Sequence, residues 1–320
     1  MNKLFCVLII LSCLRLAGCS KTERDIDEYE GGIPENPYTS IPEPDSVYQV
    51  PARLLNCNFF DENEFGIYTS QAKVYDMNGK ILCGTVPHHL LAGKMIAGFF
   101  KTAAENRADI ETVVVIAPIH EPLNNKLCVS IADWATPFGV LKNDCDLSRR
   151  LINGTGAAID DDMVEKDHSA SSLIPFVKYY FPQASAACFL IAGGADKTIP
   201  ERVSEILEEF AGEKNCLFVF SVDFSHYLTP GQTRERDNET LEAVMSGNVN
   251  LIAGMDNGNM DSPKCVCAFL HLTKRLNGNV LMLDHSNSLE ISRLPYTSPD
   301  FDEGLTSYFV FAGTGDKFIP

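Results

Sequence analysis

The chain has 320 residues, 45% of them hydrophobic, which is enough to build a sizeable core in one large domain or two small ones. Its formal net charge is -17. That balance excludes nucleic acid as a partner and excludes electrostatic attraction to anionic lipid, because both need a basic surface.

The first nineteen residues read as an address rather than as fold. Met1-Asn2-Lys3 is a short cationic start, and Leu4 to Leu14 is an apolar stretch too short to span a bilayer. Leu16-Ala17-Gly18-Cys19 then resembles the bacterial lipobox. That resemblance implies cleavage before Cys19, a lipid on its thiol, and a protein anchored outside the cytoplasm at a bacterial cell envelope. Residues 20–48 are rich in Asp, Glu, Pro and Gly and poor in large apolar side chains. Such a segment cannot offset its ordering entropy by burial, so it is expected to be a disordered acidic tether. The folded domain is expected over 49–320. Of eleven cysteines, Cys6, Cys13 and Cys19 precede the tether, which leaves eight in the body. Cys83, Cys188 and Cys216 fall in apolar, strand-like runs, so mostly reduced, buried thiols are expected.

Within the body, Gln71 to Gly84 reads as a hairpin about the turn Asp76-Met77-Asn78-Gly79. Helical spacing follows from His89 to about Asn106, through Leu90, Ile96, Phe99 and Phe100. Glu111 to Pro118 is a buried strand by its Val-Val-Val-Ile run. Further strands are expected at Ala187 to Ala192, Cys216 to Val222, Asn279 to Leu283 and Ser307 to Ala312. Helices are expected at Ser169 to Tyr180, Pro200 to Ala211, Gly231 to Met245 and Lys264 to Leu276. Strands and helices in alternation predict an α/β fold, a single three-layer αβα domain with a mostly parallel central sheet.

Three of the seven histidines stand just past apolar runs: His88 after Lys80 to Pro87, His120 after Thr112 to Pro118, and His226 after Cys216 to Val222. In a parallel sheet, ligands bind outside the carboxyl ends of the strands, so the three imidazoles can meet there. Imidazole is the commonest transition-metal ligand, which points to a metal-centred site. Asp223, three residues before His226, is placed to orient that ring as carboxylates beside metal sites do, or to stand solvated at a strand end.

Five segments occur in an order that matches a known family. They are Val86-Pro87-His88-His89, Ala117-Pro118-Ile119-His120, Trp134-Ala135-Thr136-Pro137-Phe138-Gly139, Asp167-His168-Ser169 with Ile174-Pro175-Phe176, and Ser221-Val222-Asp223-Phe224-Ser225-His226-Tyr227. Over roughly Cys83 to Gly313 the chain resembles the Memo family, called AmmeMemoRadiSam system protein B in bacteria, whose members are similar in fold to class III extradiol dioxygenases. The resemblance implies a mononuclear site with His88 and His120 as ligands, His226 as the acid/base histidine, and His168 near the pocket in a role toward substrate or behind the ligands. Family members often carry a cysteine as third ligand, where this chain reads Met260-Asp261-Ser262-Pro263-Lys264-Cys265. Counted back without gaps from the helix end at Leu276, Asp261 falls at the ligand position, and Cys265, four residues on, is the alternative. Two histidines and a carboxylate favour Fe(II), whereas a Cys265 thiolate is softer and suits copper or zinc. The function expected is dioxygenase-like oxidoreductase chemistry on an unidentified small molecule. The alternatives are a noncatalytic copper- or iron-binding or redox protein at the cell surface, and metal-assisted hydrolysis.

Overall fold

The computed structural model describes residues 53–120 and 126–315. The expected leader, its Cys19 and the tether lie outside the described residues. Among those described, no helix is long and apolar enough to cross a membrane.

The elements run, in chain order, β1 (Leu54–Asn56), α1 (Glu62–Ser70), β2 (Lys80–Val86), α2 (Gly93–Asn106), β3 (Thr112–Pro118), β4 (Leu127–Val129), β5 (Asp133–Thr136) and β6 (Gly139–Leu141). They continue as α3 (Cys145–Thr155), β7 (Ala158–Ile159), α4 (Asp161–Lys166), α5 (His168–Ser171), α6 (Ile174–Tyr180), β8 (Ser185–Ile191) and α7 (Ile199–Ala211). The last third holds β9 (Cys216–Ser221), α8 (Pro230–Met245), α9 (Val249–Ile252), α10 (Pro263–Arg275), β10 (Asn279–Asn287), α11 (Ser288–Ser292) and β11 (Ser307–Gly315).

An eight-stranded sheet has the order β10-β11-β2-β9-β3-β8-β4-β7. Its centre, β2-β9-β3-β8, is parallel throughout, while β10-β11-β2 and the β4-β8 pair are antiparallel. Successive residues of a strand face opposite sides of the sheet, and β3 shows it: Val113, Val115 and Ala117 enter one core, Val114 and Ile116 the other. The first core is closed by α1, α2 and α6, the second by α3, α7 and α10. The result is the expected three-layer αβα domain. Helix α7 illustrates the cause, since Ile199, Val203, Ile206, Leu207 and Phe210 recur at helical spacing and are all buried. Each such side chain contributes about 1.5–3 kcal/mol relative to leaving it in water.

Two expectations about elements are corrected. Residues 71–78 form no strand, so Gln71 to Gly84 is not a hairpin. Strand β2 is buried over six of its seven residues and takes its partners from β9 and β11 instead. The preceding segment lies on α2, where the Tyr75 N–H donates to Thr102 Oγ1 and a Cβ on Gly98 would sit 2.9 Å from the Lys73 carbonyl. The helix expected over Ser169 to Tyr180 is split into α5 and α6 by Pro175, which has no N–H to continue the first helix. Sequence pattern also missed the three-stranded sheet β1-β5-β6, whose strands are too short to show periodicity.

Asp144 fastens several of these elements. Its side chain caps α3 at the Leu147 N–H and accepts from Thr112 Oγ1 at 2.8 Å, Ser185 Oγ at 3.2 Å and Lys214 Nζ at 2.9 Å. Burial opposes its charge, but these donors outweigh it and hold the carboxyl below its ordinary 3.8. Asp144→Ala should destabilise the fold by about 2–4 kcal/mol, through a lost cap and buried donors left without an acceptor. Because the folded value is depressed, the wild-type contribution is present above the ordinary carboxylate range and is lost as the pH falls through the folded value. Denaturant titrations at pH 7 and in acid should show the wild-type advantage at the first and its shrinkage at the second.

Candidate metal centre

The parallel centre of the sheet sets the site. Strands β2, β9 and β3 are neighbours, so their carboxyl ends lie side by side. Pro87 and Pro118 follow or close β2 and β3, and neither can donate a ladder hydrogen bond. The chain therefore leaves the sheet there and delivers His88 and His120 to the same edge.

A third imidazole joins them. His168 opens α5 immediately after its cap Asp167, and one nitrogen from each of His88, His120 and His168 lies within 4.8 Å of the others, a grouping that can hold a metal ion. The ring centroids of His120 and His168 are 4.4 Å apart, and those of His88 and His168 are 5.1 Å apart. Asp261, one residue before the cap of α10, closes another side: its Oδ2 lies 3.2 Å from His88 Nε2 and 3.6 Å from His120 Nε2.

Hydrogen bonds fix which nitrogen faces inward. Ser221 Oγ donates its one proton to the Ser169 carbonyl at 2.5 Å, so toward His88 Nδ1, 2.9 Å away, it can only accept. His120 Nδ1 donates to Asp167 Oδ1 at 3.1 Å, and Asp167 also accepts the His120 and Ser169 backbone N–H groups. Both rings thus carry Nδ1–H outward and offer Nε2 to the centre, the arrangement that metal-bound histidines adopt. Among the described hydrogen bonds none fixes the His168 ring.

The electrostatics suit a cation. Burial opposes charge on His120, but hydrogen bonds to Asp167 and Asp261, and their charges, outweigh it and raise the imidazole to about 10. Asp223 and Asp261 likewise raise His88 against its burial. Burial, then the charges of His88 and His120, push His168 down to about 4, so its nitrogen lone pair is available near neutral pH. Burial opposes charge on Asp261 too, yet the two imidazoles hold it well below the carboxylate range. Its Oδ1 is buried with no hydrogen-bond partner, as an oxygen awaiting a ligand is. The donor set therefore fits a metal ion.

Asp223 acts on this group rather than on His226. Its Oδ1 accepts the His88 N–H at 3.0 Å, and its backbone exchanges hydrogen bonds with Asp261, through the Asp223 N–H to Asp261 Oδ2 at 3.3 Å and the Asp261 N–H to the Asp223 carbonyl at 3.0 Å. The expected orientation of the His226 ring by Asp223 is not among the described contacts. His226 donates its backbone N–H to the Asn257 carbonyl, and with Asp261 it lines a cavity of about 1690 Å³. His226 Nδ1 is buried and has no partner.

The family model for Memo-like proteins matches residues 69–297, more than half of the chain. The chain belongs to the Memo-like family. It is similar to a MEMO1 family protein of Methanosarcina barkeri, 28% identical over 222 residues, which covers 66% of this chain and 81% of the relative. A MEMO1 family protein of Methanosarcina mazei is 26% identical over 226 residues, covering 67% and 81%. An uncharacterized protein from Escherichia coli K12 of known structure superposes with a TM-score of 0.49 at 12% identity, over 73% of this chain and 99% of that one.

The segment expected to supply the third ligand places its two candidate residues differently. Asp261 lies against the imidazoles, while Cys265, in the first turn of α10, is fully buried in the apolar core. Burial pushes the Cys265 thiol up, against the thiolate a metal needs. His168, read from sequence as a residue toward substrate or behind the ligands, stands within the imidazole group itself. Sequence reasoning assigned no role to Asp167 or Ser221, the partners that turn the rings. An aspartate directly before a helix start was the available signal for Asp167. Ser221 stood only at the head of the segment that runs to Tyr227, which gave it no role of its own.

Asp167→Asn should weaken Zn(II) binding about 10- to 100-fold, because the amide no longer holds the His120 tautomer as a carboxylate does. Competition against a chelator measures the change, and circular dichroism should stay near wild type.

Proposed function

We propose that this Memo-like protein is a mononuclear metalloprotein with dioxygenase-like oxidoreductase chemistry on a small molecule. His88, His120 and Asp261 hold the metal, and His168, whose nitrogen lies within 4.8 Å of both ligand imidazoles, is a further donor to it. The observation that carries the reading concerns buried polar atoms. Among the described residues three buried side-chain polar atoms have no partner, and two of them, Asp261 Oδ1 and His226 Nδ1, belong to residues that line the same cavity. Leaving such atoms unpaired costs free energy, so a pair of them on one cavity marks a place where a ligand completes the bonding.

We take the Asp261 carboxylate beside the imidazoles to favour Fe(II), whereas the three imidazoles alone would suit zinc or copper as well. The chemistry such an ion supplies when bound is to draw substrate oxygens and O2 together. The chain does the rest. Ser221 and Asp167 keep the two Nε2 atoms aimed inward, Asp223 pins the His88 backbone, and His226 moves a proton to or from the ligand in the cavity. That transfer is worth typically about 10²–10⁴ in rate. We also propose that Cys19 carries a lipid that holds the domain outside the cytoplasm on a bacterial membrane.

Metal analysis of anaerobically purified protein, followed by oxygen uptake against a catechol panel, tests the proposal. His88→Ala, His120→Ala and Asp261→Ala should lose stoichiometric iron, His168→Ala should weaken its binding, and Cys265→Ser should retain it. His226→Ala should keep the metal and lose turnover by about 10²–10⁴. Iron at full occupancy with no oxygen uptake would leave a noncatalytic metal-binding protein. Globomycin treatment decides the anchor: unprocessed precursor should accumulate, and an unchanged product would remove the lipid from the proposal.

A further inference from the structure

The His226 segment is held from behind by a buried cluster that lies outside the metal centre. Asp237 on α8 is almost fully buried, and so are Ser225 and Ser307. Asp237 Oδ1 accepts from Ser307 Oγ at 2.6 Å and from Ser225 Oγ at 2.9 Å, and Oδ2 meets His285 Nε2 at 2.9 Å. Ser225 Oγ also lies 2.9 Å from Ser307 Oγ, which in turn accepts the Ser225 N–H at 3.0 Å. Each hydroxyl has one proton to give. Ser307 and Ser225 each spend that proton on the carboxylate, and a Ser307 lone pair takes the Ser225 N–H. The backbone completes the fastening: the Ser307 N–H donates to the Ser225 carbonyl, and the Phe224 N–H to the Ser307 carbonyl.

What this cluster holds is unusual backbone. Tyr227, directly after His226, has φ 61, a left-handed conformation that a bulky aromatic residue adopts only where its surroundings impose it. Its own ring does not impose it, being 65% exposed. The constraint comes from either side. Before it stands Ser225, locked as described; after it, Leu228 bridges to Leu305. Gly304 lies so near that a Cβ there would come within 2.5 Å of the Tyr227 carbonyl carbon.

We propose that Asp237 is a positioning residue for His226, acting through Ser225 and Ser307 to hold the strained turn that sets where the imidazole sits in the cavity. The inference rests on the reading of His226 as the proton-transfer group. Four parts of the fold converge on one carboxylate: the loop after β9 through Ser225, α8 through Asp237 itself, β10 through His285 and β11 through Ser307. None of them touches the three-imidazole group through this carboxylate, so the cluster governs His226 without holding the metal.

The test uses the full chain with its seven histidines labelled with ¹⁵N, His226 being assigned by the signal lost in His226→Gln. Asp237→Ala and Ser307→Ala should move the ring resonances of His226 by more than a linewidth while iron content stays at the wild-type level. Asp237→Asn keeps an acceptor oxygen for both hydroxyls and should leave those resonances near their wild-type positions. Ser148→Ala, which removes a buried hydroxyl remote from the cavity, serves as the control for general loosening. Unmoved resonances in both Asp237→Ala and Ser307→Ala would overturn the inference. So would an equal movement in Ser148→Ala, or loss of iron from Asp237→Ala. Should Asp237→Ala fail to fold, Ser307→Ala and Asp237→Asn still decide it. Absence of iron from the wild type would sink the proposed function instead, and the resonances would continue to report the Asp237 coupling.

Discussion

Three carboxylates, Asp167, Asp223 and Asp261, are kept out of water among imidazoles at the ends of parallel strands, and the fold around them is arranged to meet that cost. An unpaired buried carboxylate takes up a proton sooner than it holds its charge. Here each is supplied with partners: Asp167 with the His120 ring and two backbone N–H groups, Asp223 with the His88 backbone, and Asp261 with the Asp223 N–H and the two imidazoles beside its Oδ2. The carboxylates and their partners come from the segments after β2, β3 and β9, from α5 and from the approach to α10, so the site exists only when these are assembled. The same concentration of negative charge makes a cation the natural occupant, with the bare nitrogen of His168 facing it.

Strain enters at the other end of the cavity. A left-handed Tyr227 costs about 1–3 kcal/mol, which the hydrogen bonds of Ser225, Ser307 and Asp237 offset along with the Gly304 contact. A half built on stiff strand ends, whose imidazole group can hold a metal ion, therefore faces a half in which His226 stands beside a strained turn. Such a division suits chemistry in which the ion stays fixed while a proton-transfer group is tuned separately. Because Asp261 and His226 both line the cavity, one bound molecule can meet both halves.

Much of this was legible in the residues. The Val-Val-Val-Ile run gave β3, and the histidines after Pro87 and Pro118 gave two members of the imidazole group. These features are local, since strand periodicity, a proline stop and helix spacing are all written within a few residues. The misreading of residues 71–84 as a hairpin had the opposite cause. A turn signal at Asp76 to Gly79 says that the chain reverses there, but not that the first arm lies on α2 and leaves β2 to pair with β9 and β11.

The amino-acid sequence by itself determined the family, the alternation of strand and helix, and the presence of histidines where strands end. Only the tertiary structure decided that His168 joins His88 and His120, that Asp223 serves His88 rather than His226, and that Asp237 stands behind the His226 turn. The reason is separation along the chain. His88 and His168 are eighty residues apart and Ser225 and Ser307 eighty-two, and no local pattern records a contact of that range. Such contacts are specified by which strands become neighbours, and the burial of both faces of the central sheet settles that for the whole molecule at once.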